Sequence, residues 1–209
     1  FHPRKIITTG EGGMITTNNR MINQLCRALR SHGQAVSDLK RHSRGLKKLP
    51  AYKLLGYNYR MSDILAAVGI SQMRNLKKLL RIRQQKAKNY HSGLSDIPDL
   101  ILPKADDMCR HTYQSYVVIQ TNGAARNKES LGGILRRNNI PTCPGTHSVP
   151  HTELYRRQFG FTQKDYPHSR FAEQNSYTLP LYPELSRSDQ YMIVNTIRKY
   201  FGKKPVRHS

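Results

Sequence analysis

Apolar residues recur at helical spacing in some stretches of this chain and run together in short extended blocks in others. From Arg20 to Arg30, Ile22, Leu25, Cys26 and Leu29 fall on one helical face; Asn18 or Asn19 stands at the N-cap and Gly33 at the stop. The strongest helical pattern starts at Ser62, with Asp63 in the first turn. Ile64, Leu65, Val68, Met73, Leu76, Leu79 and Leu80 carry it toward Tyr90, before Gly93 and Pro98 end it. Ala66, Ala67 and Gly69 make its first part small enough for another backbone to approach closely. A helix is also expected from Asn127 to Asn138, with Leu131, Ile134 and Leu135 inward. A last one, capped by Ser186 or Ser188, carries Met192, Ile193 and Ile197 to Tyr200.

The extended blocks are Ile6 to Thr9, Met14 to Thr17, Tyr113 to Thr121 and Tyr177 to Leu181. The first two flank Gly10-Glu11-Gly12-Gly13 and predict a hairpin, and Pro180 puts the last block at a sheet edge or a strand end. Residues 34–56 are basic and aperiodic and are expected to form a long mobile loop. The whole reads as α/β: a helix-rich first part, residues 1–90, then an α+β part, residues 91–209.

Composition narrows the class. With 209 residues the chain can bury a core, and the apolar run Ile64 to Ile70 is far too short for a bilayer span, so no membrane is expected. Cys26, Cys109 and Cys143 are odd in number and lack C-x-x-C, which fits a reducing compartment; the expected location is cytoplasmic. The chain opens at Phe1 inside an expected strand, so a portion of something longer is expected. Charge changes the picture most: 35 Lys and Arg against 13 Asp and Glu give a net +22. No carboxylate lies between Asp63 and Asp96, while Arg74, Lys77, Lys78, Arg81, Arg83, Lys86 and Lys88 do; Arg198, Lys199, Lys203, Lys204 and Arg207 cluster at the end. Such an excess attracts polyanions, and a basic nucleic-acid-binding protein without catalysis is the rival reading. Solvated helix faces account for the runs more simply, because no aromatic residues interleave the first cluster and tryptophan is absent.

Candidate chemistry is sparse. The glycines at 10, 12 and 13 are followed by neither an immediate helix nor G-K-[ST], so a tight turn is favoured over a phosphate loop. Cys143, His147 and His151 lie four apart, but Pro144, Gly145 and Pro150 forbid the helix that would align them, so no metal is expected. Lys5 follows His2-Pro3-Arg4 and precedes an apolar run and the glycine turn. Desolvation and neighbouring cations at a strand end would lower its pKa and free an amine to condense with an aldehyde.

The string FHPRKIITTGEGGMITTN (Phe1 to Asn18) resembles the segment carrying the cofactor lysine in the DegT/DnrJ/EryC1/StrS family of pyridoxal-phosphate sugar aminotransferases. LRSHG (Leu29 to Gly33), LGYNYRMSDILAAVGISQMRNL (Leu55 to Leu76), PGTHSVPHTELYRRQFG (Pro144 to Gly160) and YTLPLYPELS (Tyr177 to Ser186) resemble later blocks of that family in the same order. The resemblance implies the C-terminal part of a fold-type-I transferase, residues 1–90 finishing the large domain and 91–209 forming the small one. It implies pyridoxal 5'-phosphate as cofactor, with Lys5 as the lysine that bonds it. Asn58 matches the residue that reaches a partner's cofactor phosphate in a homodimer, and Arg60, His147 and His151 match segments near the sugar nucleotide. The implied substrates are a nucleotide-linked keto-sugar and an amino donor such as glutamate. The family's upstream half, with the acid for the pyridine nitrogen and most phosphate donors, has no counterpart here; the chain alone is therefore expected to be nearly inactive, and a non-catalytic remnant is a further reading. Nothing in this chemistry requires +22, so any nucleic-acid affinity would be a secondary, charge-driven property.

Overall fold

The computed structural model describes residues 1–34, 51–121 and 130–206. The chain divides into two compact units, Phe1–Leu76 and Lys77–Ser209. Most of the expected loop at 34–56, the start of the helix expected from Asn127, and Arg207 lie outside the described residues.

In the first unit, helix α1 (Arg20–Leu29) starts where Asn19 accepts hydrogen bonds from the amides of Met21 and Ile22 through its side chain. It stops at a left-handed pair, His32 (φ 59°) and Gly33 (φ 75°). Helix α2 spans 32 residues, Asp63–Leu94. Ser62 caps it as expected, its hydroxyl accepting from the Leu65 amide at 3.3 Å. The hairpin expected around the glycines does not form: residues 1–19 contain turns and bends and no strand. Local bonds win over a ladder here. The Phe1 carbonyl takes the Thr9 amide at 3.1 Å and the Thr8 hydroxyl at 2.8 Å, curling the segment on itself. The Thr8 hydroxyl also accepts from the Gly10 amide at 2.9 Å, the serine/threonine turn that competes with extended pairing.

The second unit is an α+β layer. Strands β1 (Leu100–Ile101), β2 (Tyr116–Gln120), β3 (Cys143–Pro144) and β4 (Ser176–Leu179) form an antiparallel sheet ordered β1-β2-β4-β3. Tyr116 opposes Leu179, Leu100 opposes Gln120 and Cys143 opposes Thr178. Alternation in β2 buries Tyr116, Val118 and Gln120, which sets the register: a slip by one residue would turn that set to the other face. Four α-helices accompany the sheet among the described residues: α3 (Leu131–Arg137), α4 (Glu153–Phe159), α5 (Pro167–Asn175) and α6 (Arg187–Tyr200). Ser130 and Ser186 cap α3 and α6. Strand β4 ends at Leu179, where Pro180 has no amide to continue the ladder. The core gathers Val118 and Leu179 from the sheet, Leu131 and Leu135 from α3, Ile193, Val194 and Ile197 from α6, and Tyr90 and Leu94 from the end of α2.

Part of the cationic run on α2 is not solvated. Arg83 turns inward, donating through one nitrogen to the carbonyls of Tyr113, Gln114 and Leu181 at 3.2, 3.4 and 2.9 Å, and its burial lowers its pKa. Lys86 donates to the Leu185 carbonyl. Lys77, Lys78, Arg81 and Lys88 stay exposed.

Candidate active site

Lys5 occupies a turn in which its amide donates to the His2 carbonyl at 2.9 Å; its side chain is exposed. The expected strand-end setting is therefore replaced by a turn. The glycine segment that follows lies against α2. A Cβ on Gly69 would sit 3.0 Å from the Thr9 methyl, and one on Gly12 would sit 2.7 Å from the end of Met61. The small residues of α2 thus admit the lysine-bearing segment itself, and the Thr8 amide adds a bond to the Gln72 side chain at 3.4 Å.

Asn58 and Arg60 are placed by a second close approach. A Cβ on Gly56 would lie 2.1 Å from the Gly33 nitrogen, and one on Gly33 1.8 Å from the Leu54 carbonyl oxygen. With both side chains absent, residues 57–59 can run along the end of α1: Tyr57 donates to Leu29 at 2.6 Å, His32 to Tyr57 at 2.8 Å and Tyr59 to Arg30 at 2.8 Å. The two tyrosine rings stack, centroids 4.9 Å apart. Asn58 presents its side-chain oxygen to Arg60 Nε at 3.0 Å, and both residues are exposed. The structure brings Asn58 and Arg60 together, and it joins the LRSHG and NYR blocks, which lie far apart in sequence.

In the second unit His147 and His151 differ. His147 is exposed, its Nδ1 3.8 Å from a Glu173 carboxylate oxygen. His151 is held by Ser148, Oγ to Nδ1 at 2.6 Å, and Ser148 also meets the Ser169 hydroxyl at 2.9 Å. The Ser148 amide donates to Glu173 at 3.0 Å. Nε2 of His151 is buried without a hydrogen-bond partner among the described residues, which leaves its second ring nitrogen available to a group that would enter there. Ser148, Ser169 and Glu173 were not signalled by spacing to each other; only the three-residue step from Ser148 to His151 hints at one turn of helix. Cys143 lies in β3, and no cluster of metal-ligating side chains occurs among the described residues.

A model of the DegT/DnrJ/EryC1/StrS aminotransferase family matches residues 1–198. The chain belongs to that family. Among curated relatives, it is 31% identical over 202 residues to the uncharacterized protein MJ1066 of Methanocaldococcus jannaschii, covering 95% of this chain and 52% of that protein. It is 30% identical over 202 residues to the spore coat polysaccharide biosynthesis protein SpsC of Bacillus subtilis, covering 95% and 51%. Solved aminotransferases share the fold. A family member from Brucella abortus matches with TM-score 0.78 at 23% identity, over 97% of this chain and 50% of that one. Helicobacter pylori PseC, described as an aminotransferase of pseudoaminic acid biosynthesis, matches with TM-score 0.77 at 22% identity, over 94% and 50%. The chain spans about half the length of these proteins.

Among the described residues of the first unit, Lys5 offers the amine that the resemblance implies for a cofactor, and no buried acid accompanies it. Their carboxylates, Glu11 and Asp63, are exposed, and the cavity between the segment around Lys5 and α2 is lined mainly by apolar side chains such as Phe1, Ile7, Met14 and Met73. Among the described residues no helix is long and apolar enough to cross a membrane.

Proposed function

We propose that this chain is the lysine-bearing, C-terminal portion of a pyridoxal-phosphate-dependent aminotransferase that transfers an amino group from a donor such as glutamate to a nucleotide-linked keto-sugar. The observation that carries the reading is the family match over residues 1–198, which takes in every block of the sequence around Lys5 and Asn58. A polysaccharide pathway is in keeping with the similarity to SpsC, a spore coat polysaccharide biosynthesis protein.

Within this reading, Lys5 would hold the cofactor through its side-chain amine and would be the group placed to carry a proton beside it, and the cofactor would supply the electron sink. The turn at His2 to Lys5 and the packing of Thr9 on Gly69 hold the backbone on either side of that amine. Asn58, fixed against α1 by the glycine contact, serves a partner subunit's cofactor phosphate in a homodimer. Arg60, His147 and His151 bind the sugar nucleotide. Of the two histidines, His151 has the fixed ring and the unused nitrogen, whereas His147 is the freer. A division near residue 90 into large-domain remainder and small domain, and a cytoplasmic location, complete the proposal.

The test is covalent. The intact protein is incubated with pyridoxal phosphate, reduced with borohydride, digested and mapped. Label on the peptide containing Lys5, lost in Lys5→Ala, is the expected result; label on other lysines alone would remove the assignment.

A further inference from the structure

One polar cluster in the second unit fixes the protonation of a histidine as well as its position. Ser148 stands at the N-cap of the short helical turn Val149–His151, but its hydroxyl does not cap that turn. The His151 amide closes the turn on the Ser148 carbonyl at 2.9 Å, which brings the ring back onto the hydroxyl. On the other side, Ser169 and Glu173 lie one turn apart on α5 and so share a face. Glu173 takes the Ser148 amide at 3.0 Å, and Ser169 meets the Ser148 hydroxyl at 2.9 Å. Ser148 is 1% exposed, so water does not compete for its oxygen.

The distances set the order of the protons. Ser148 Oγ carries one hydrogen and has two neighbours, Nδ1 of His151 at 2.6 Å and Oγ of Ser169 at 2.9 Å. A ring N–H donating to oxygen settles at about 2.9–3.0 Å, whereas a hydroxyl donor draws closer. The 2.6 Å contact therefore fits the Ser148 hydroxyl as donor and Nδ1 as acceptor, with the Ser169 hydroxyl donating in turn to Ser148. A neutral imidazole that accepts at Nδ1 carries its hydrogen on Nε2. That nitrogen is buried and meets no acceptor among the described residues.

We propose that Ser148 and Ser169 are positioning residues: their relayed hydroxyls lock His151 with its hydrogen on Nε2 and make it a hydrogen-bond donor, not a base. The oxygen it serves is a neutral one, such as a sugar hydroxyl. Glu173 is part of the cluster, and Asp165, held below the usual carboxylate range by the Thr162 amide and hydroxyl, is close enough for the His151 ring to add to that shift. Two carboxylates beside the ring disfavour a phosphate there. The identity of the oxygen rests on the sugar-nucleotide reading of His151 given above; the proton order stands on geometry alone.

The test is spectroscopic and uses the full 209-residue chain labelled with nitrogen-15 at histidine. Long-range proton–nitrogen spectra at about pH 8, where an ordinary imidazole is neutral, tell a protonated ring nitrogen from a bare one. His151→Asn identifies the signals. A bare Nδ1 and a protonated Nε2 are expected at His151. Ser148→Ala removes one neutral hydrogen bond, so the ratio of the Nε2–H to the Nδ1–H form should fall about fivefold. Ser169→Ala leaves the direct bond and should lower the ratio about twofold or less. Unchanged signals from His91, on α2, show that each variant is folded. Hydrogen on Nδ1 in the parent chain, or a ratio that Ser148→Ala leaves unmoved, overturns the proposal. UDP-glucose should move the Nε2 signal and UDP alone should not; a response to UDP alone would overturn the neutral acceptor. No response to either, with the ratios as expected, would take His151 out of the sugar-nucleotide reading and leave the hydroxyl relay standing.

Discussion

Arg198 offers the sharpest test of how the second unit is held together. Its side chain is 11% exposed and its guanidinium donates to four oxygens: Lys204 carbonyl at 2.5 Å, Gly93 carbonyl at 2.8 Å, and both Asp96 carboxylate oxygens at 2.6 and 3.1 Å. Arg198→Met keeps much of the stem's packing and removes every donor. Asp96 is 54% exposed and rehydrates on release, and Lys204 is exposed, so the main loss is the buried Gly93 carbonyl left without its donor, about 2 kcal/mol. For a unit of this size that lowers the melting midpoint by about 8 °C. Asp96→Asn, which spares the carbonyl contacts, should cost about 1 kcal/mol or less. Melts followed by far-ultraviolet circular dichroism compare the variants. If Arg198→Met loses no more than Asp96→Asn, the carbonyl contacts stabilise nothing and the reasoning fails.

Two further outcomes follow from the same structure. The hydrogen bond from Arg198, with its charge, holds the Asp96 carboxyl below the usual carboxylate range, so its stabilisation is present above the unfolded value of about 4 and is lost as pH falls through the lower folded value; acid melts between about pH 4 and pH 2 should show a loss of about 1 kcal/mol or less that Asp96→Asn lacks. Gly56→Ala would force a methyl onto the Gly33 backbone, so residues 57–59 should detach from α1, and the Tyr57 and Tyr59 amides should exchange about tenfold faster or more; unchanged exchange would show that the two glycines are not needed for the contact.

Where local chemistry decides, the sequence was readable. Asn19, Ser62, Ser130 and Ser186 each cap a helix, three of them at positions the pattern singled out, because a short polar side chain before an apolar period leaves little choice. The short strands β1 and β3 and helices α4 and α5 were not legible. Two-residue strands have no period, and α4 and α5 bury no residue, so they carry little apolar signature. The hairpin expected around Gly10 failed because the threonine hydroxyls and the Phe1 carbonyl satisfy the backbone locally. At the site, Lys5, Asn58 and Arg60 were found through motif blocks, while the Gly33–Gly56 contact joining two of those blocks has no one-dimensional signal. The Ser148–Ser169–Glu173 set around the histidines is likewise invisible along the chain, since α5 brings Ser169 and Glu173 from a distant segment.

The two outer strands of the sheet bear on how the second unit behaves in company. Each is two residues long, and β3 spends one of them on Pro144, which has no amide to offer. A passing extended segment finds almost no row of free backbone groups to copy, so fibril-like growth by strand addition is blocked at both flanks. Association of concentrated preparations would then run through exposed apolar side chains, such as Met21 and Ile64 in the first unit and Met108 and Leu154 in the second, and not through the sheet.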